Sequence, residues 1–287
     1  MPKHFEFTDE TTTYNGVTLH RIRATKDLPR FGVMAGDLGG FLEHDSNLTG
    51  KAWVADNAKV FGNAIVSESA FLGDNSVVCD SAWVSGNARV LDNAYVSGKV
   101  WVSDNARVTK NARVTSHVVI NKNALVTDHA TVDGDTLVTD NASIRDHATA
   151  GGYTIISGHA TMSGRSRACG SAEIRDHGEV KGEAVVEGLV YGITVIDGDC
   201  TNWCDTEGGV IERRSSCPAL NIRVPFCPPP SKSAPPRGSL PQLERPPSAM
   251  HLSAWNRGEQ PPQPAFRQKD TTRRNRDYPT PPSTSSE

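Results

Sequence analysis

The chain has 287 residues, 22% of them charged, and a formal net charge of −3, the balance of an ordinary soluble protein without the basic excess that would point to nucleic acid. No charged n-region leads into an apolar h-region near the N-terminus, and no apolar run approaches the ~18 residues of a membrane helix, so no membrane partner is expected and the cytoplasm is the expected compartment. Only Pro2 and Pro29 precede Pro218, which marks a change of polymer near residue 200.

Residues 1–47 form the first segment. "EFTDETTTYNGVTLHRIRA" places β-branched runs on both sides of Asn15-Gly16, which predicts a β-hairpin. With the glycine-rich "GDLGG" turn behind it, the hairpin is expected to cap the repeating region that begins at Leu48, because a solenoid end exposes core and unpaired strand edge.

From Leu48 an aliphatic or small apolar residue recurs every six positions as far as Val186, 24 positions without a slip in register. Two residues before each stands a small one, as at Ala52, Ala58, Ala64 and Ala70. This alternation predicts short strands with small and aliphatic side chains inward and the residues between them outward. Between strands come Asp-Asn or Gly-Asn pairs such as Asp56-Asn57, Gly62-Asn63 and Asp104-Asn105, which turn corners because Gly and Asn accept positive φ and Asp and Asn bond their own backbone. Three six-residue sides close an 18-residue triangular coil. The expected fold is all-β, a single-stranded parallel β-helix of about eight such coils over 48–199, stacked as parallel strands about 4.8 Å apart.

Residues 18 apart should then stand one above another. The outward file Ile65, Trp83, Trp101, Val119, Leu137, Ile155 is wholly apolar, whereas Lys59, Val77, Tyr95, Arg113, Thr131, Thr149 and Trp53, Phe71, Arg89, Arg107, Leu125, Ser143 are mixed. The apolar file reads as an interface, against the bland alternative that bulky residues merely suit strands. Homo-oligomerisation is the leading expectation, with a further protein partner as an alternative. The Thr and Ser files are too irregular to press carbohydrate or ice binding.

His117, His129, His147, His159 and His177 all occupy the corner slot that asparagine holds elsewhere. His129 with His147, and His159 with His177, should stack. A stacked pair could bind a metal, titrate cooperatively or do nothing, and the last is the preferred reading. Asp-His dyads for general-base work lose force because aspartate already belongs to the corner. If the chain is an enzyme, His129, His147, His159 and His177 are the candidate bases, and His117 stands on equal terms with them, with Asp135 above it as an orienting acid. The cysteines, Cys79, Cys169, Cys200, Cys204, Cys217 and Cys227, match neither a paired zinc site nor a disulfide framework, so no metal is expected.

"LHRIRATKDL" (19–28) and "MAGDLGGFLEHDSNL" (34–48), running into "AWVADNAKVFGNA", resemble the YdcK-like hexapeptide-repeat proteins of bacteria and prophages. The resemblance covers 14 to about 199 and implies a left-handed β-helix, a hand that periodicity alone does not decide. It also implies kinship with trimeric acyltransferases, in which a histidine deprotonates the acceptor at a cleft between subunits and acetyl-CoA or another acyl-CoA is the donor. On that resemblance a trimer is favoured over a dimer. No insertion interrupts 48–186 to supply a pocket loop, so the expected function is a non-catalytic structural or interaction module without cofactor. A hexapeptide acyltransferase acting as a homotrimer is the alternative.

Residues 200–287 are rich in Pro, Arg and Ser and should stay disordered. From Asp205 they carry 12 basic and 8 acidic residues, a balance that permits contact with an acidic partner. The abrupt change of composition also fits a frameshifted tail.

Overall fold

A computed structural model describes residues 3–198, with backbone pairing for 201–202 and 210–211. The expectations for the tail, including its disorder, its frameshift origin and Cys200, Cys204, Cys217 and Cys227, lie outside the described residues.

The repeating region is a parallel β-helix of two-residue strands on three faces. The first face opens with Trp53–Val54, the second with Lys59–Val60 and the third with Ile65–Val66. Each strand pairs with the strand 18 residues on, as Arg89 with Arg107, Tyr95 with Arg113 and Trp101 with Val119. The predicted files are therefore real columns. Alanine and aliphatic residues fill the interior, with Ala88, Val90, Ala106 and Val108 all at 0% exposure. The small residue is small because three sides converge on it, and the aliphatic one closes the layer.

The first face carries nine strands from Trp53–Val54 to Val195–Ile196, so the coil has about nine turns rather than eight. The difference arises after Val186. Glu173 pairs with Leu189 and Val180 with Ile196, a spacing of 16 residues, so the corner at Glu187-Gly188 is two residues shorter and breaks the six-residue count while keeping the stacking. Backbone pairing of Thr201–Asn202 with Val185–Val186, and of Val210–Ile211 with Val195–Ile196, lies past 199.

The corners refine the expectation. Positive φ belongs to the first residue of each pair, as at Asp56 (53°), Asp104 (57°) and Gly134 (70°), and not to the asparagine after it. The aspartate compensates for the left-handed backbone. Asp74 Oδ2 accepts the N–H of Asp92 at 3.1 Å, and Asp104 Oδ2 that of Lys122 at 3.0 Å, so each carboxylate ties its corner to the next coil. The asparagines form a second ladder, Asn87 to Asn105 to Asn123 to Asn141, at 3.0, 3.2 and 3.1 Å.

This arrangement yields a test at Gly134. A Cβ there would lie 2.6 Å from both N and O of Gly152, at a φ that β-branched residues avoid. Gly134→Asp should cost clearly less than Gly134→Val, since Asp80 already holds the same corner at a φ of 62° and accepts the N–H of Gly98 in the next coil. Gly134→Val has no such compensation and should cost about 2 kcal/mol or more in a denaturant melt. Equal losses for the two would refute the carboxylate ladder.

The N-terminal segment caps the coil by continuing its second face. β1 (Phe5–Tyr14) and β2 (Val17–Ala24) form the predicted hairpin, turning at Asn15 and Gly16 with φ of 50° and 81°. β3 (Leu38–Leu42) pairs antiparallel with β2 and parallel with Lys59–Val60. Gly39 and Gly40 permit this contact, because a Cβ on either would meet a backbone carbonyl, of Val54 at 2.6 Å or of Ala58 at 2.5 Å. Residues 25–37 cross the start of the first face, where the Phe31 ring packs 5.3 Å from that of Phe71 and Leu28 is buried.

Candidate functional site

The third face carries the apolar file in the predicted order. Ile65, Trp83, Trp101, Val119, Leu137 and Ile155 are successive partners in one parallel sheet. The Trp83 and Trp101 rings stack 5.5 Å apart, inclined by 8°. Their indole N–H groups donate inward to Ser67 Oγ at 2.8 Å and Ser85 Oγ at 3.4 Å. The polar end of each indole is thus satisfied within the coil, and what it turns outward is hydrocarbon.

Covering distinguishes the faces. Trp53, the first outward aromatic of the first face, is 1% exposed, near the His4 ring and beneath the N-terminal segment. Trp101, two coils into the third face, stands 39% exposed, with Val119, Leu137 and Ile155 half-buried below it. The serines that orient the indoles were not legible from the 18-residue columns. Their offset is 16 residues, from the position after one aliphatic to the position before another, and only a coil-level reading could have found it.

The histidines fall where the corner slot predicts. His129 and His147 stack at 4.8 Å and 6°, and His159 with His177 at 5.0 Å and 8°. Each pair continues an asparagine ladder down its own corner. Parallel rings aim their in-plane lone pairs side by side rather than at a shared point, which suits stacking better than chelation. Among the described residues no three His, Cys, Asp or Glu side chains gather to hold a metal ion.

His117 sits on the remaining corner, between the second and third faces, with Nδ1 3.9 Å from Asp135 Oδ1 and both side chains more than half exposed. That corner borders the apolar file, since His117 precedes Val119 by two residues and Asp135 precedes Leu137 by two. It also holds Asp133, whose carboxyl is pushed above its ordinary range by burial. Lys110 and Lys122 hold the Asp128 and Asp140 carboxyls below the usual range through ion pairs of 2.5 Å each. On the second face Cys79 and Tyr95 share a hydrogen bond of 3.5 Å that, with burial, raises the phenol to about 12.

No protein-family model matches the sequence, and no curated protein does. Among solved structures the chain is similar to UDP-N-acetylglucosamine O-acyltransferase (LpxA) from Moraxella catarrhalis RH4. The identity is 13%, over 49% of this chain and 71% of that one, with a TM-score of 0.21. A likeness of this extent assigns no role to any residue here.

Proposed function

We propose that the chain is a non-catalytic structural or interaction module, a left-handed hexapeptide coil of bacterial or prophage origin, that joins copies of itself through the third face. Hand and origin rest on the resemblance of residues 19–28 and 34–48. The observation that carries the function is the unbroken file from Ile65 to Ile155 on one rigid sheet, with Trp101 exposed at its centre while Trp53 is covered by the chain itself. Contiguous apolar surface of this length marks association, and a second copy offers a matching apolar file at the same strand spacing. Three copies is the favoured number.

Acyl transfer is the second reading, and the His117–Asp135 pair beside the apolar file favours it. In that reading His117 is the base, Asp135 orients it, and an acyl-CoA is the donor. Thermal melting separates the two. Self-association makes the melting temperature rise with protein concentration by mass action, with no response to acetyl-CoA. Both readings join copies, so the acetyl-CoA response divides them: an upward shift on adding acetyl-CoA would contradict the module and support the enzyme.

A further inference from the structure

The first face carries a different kind of surface below the N-terminal segment. From Arg89 to Ser163 its ten strand-flanking positions hold three arginines, five hydroxyl residues, of which Thr127 and Ser163 are buried, two leucines and no acid, in a chain whose net charge is −3. Arg89 and Arg107 are directly paired neighbours on parallel strands, and both are exposed. Arg145 is exposed two coils further on. Arg30, on the segment that crosses this face, donates to Asn87 Oδ1 at 2.8 Å and is thereby held two residues from Arg89.

Several arginines elsewhere find carboxylates, Arg21 with Glu10, Arg23 with Glu6, Arg165 with Glu183 and Arg175 with Glu173, whereas on the second face Arg113 lies over the Tyr95 ring and, among the described residues, neither it nor Arg167 has an ion pair. Among the described residues Arg30, Arg89, Arg107 and Arg145 have no ion pair. The acids on the two adjoining corners, Asp92, Asp128 and Asp146 on one and Asp104 and Asp140 on the other, are engaged there, each accepting the N–H of the next coil, with Asp128 also pairing with Lys110 and Asp140 with Lys122. Like charges placed directly opposite one another destabilise a sheet, and a carboxylate brought in from outside would relieve that cost.

We propose that the first face between Arg89 and Arg145 docks an acidic protein segment. Guanidinium forks and hydroxyl donors on a rigid face suit carboxylates. Leu91 and Leu125, both half-buried between the charges, offer the apolar contact that a peptide can use. None of the ten strand-flanking positions is aromatic, so the bases of a single strand have no ring to stack on.

The test uses labelled poly-L-glutamate and the full chain, with fluorescence anisotropy read at low and at physiological salt. Arg89→Gln/Arg107→Gln/Arg145→Gln should weaken binding about tenfold, with the single Arg107→Gln variant intermediate. Arg113→Gln/Arg167→Gln on the second face should change it less than about twofold, because those charges point elsewhere. All five side chains are exposed, so melting temperatures should match the parent and serve as the folding control. Equal weakening by the two sets, or none from the first, would overturn the site. Stronger binding of oligothymidylate, abolished by the same triple variant, would overturn the acidic-protein assignment.

Discussion

If the third face joins copies of the chain as proposed, Trp101→Glu combined with Leu137→Glu leaves single chains with the coil folded. Both side chains stand in the outward file, Trp101 at 39% exposure, and they lie two strands apart, about 9.6 Å at the usual spacing, so two carboxylates in one chain repel weakly through water. Across an interface the result is different. Each carboxylate would be stripped of water against hydrocarbon, at a cost of several kcal/mol per ion, and a cyclic assembly multiplies that cost by the number of copies. The expected outcome is a fall in mass to one chain with an unchanged far-ultraviolet spectrum. A variant of unchanged mass would show that the apolar file is not what joins the copies.

The second large effect lies inside the coil. Ala106→Leu adds three carbons to a file whose neighbours, Ala88 and Ala124, are also alanine and fully buried. The neighbouring coils fix the width of the layer, so the larger side chain has to push strands apart or leave its rotamer, a loss of about 3 kcal/mol. Arg107→Leu, one residue on and pointing outward, should stay within about 0.5 kcal/mol. Val100 and Val118 hold the same interior slot on the third face, so that file is already built for a larger residue. Similar melting temperatures for Ala106→Leu and Arg107→Leu would contradict this packing.

The parts of the structure that repeat were legible in the sequence, as was the hairpin that turns at Asn15-Gly16, whereas most contacts that occur once were not. Val90, Val108 and Val126 recur at a fixed step because each meets the same interior, and that step places the outward columns, including Trp83 over Trp101. The stacking of His129 on His147 comes from the same arithmetic. Residues 25–37 have no periodicity, so nothing in them announces that Phe31 would lie on Phe71, and the contrast between a covered Trp53 and an exposed Trp101 emerges only in three dimensions. The contraction after Val186 escaped because a corner that loses two residues still delivers the next strand, Leu189–Val190, to its place. The indole-to-serine bonds escaped for a related reason: Ser67 and Trp83 belong to different files of the same face, and a column-by-column reading never compares them. The site divides in the same way. The file from Ile65 to Ile155 was visible as a column, while the first-face charge required knowing that Arg89, Arg107 and Arg145 lack the acids that Arg165 and Arg175 have.

The decisive measurement is the absolute mass of the full chain in solution, by light scattering after size exclusion across a range of concentrations. The third face as a self-interface predicts a mass of several chains, three being the favoured number, that persists on dilution. A mass of one chain at every concentration would contradict it and leave the Ile65 to Ile155 file to a partner of another kind.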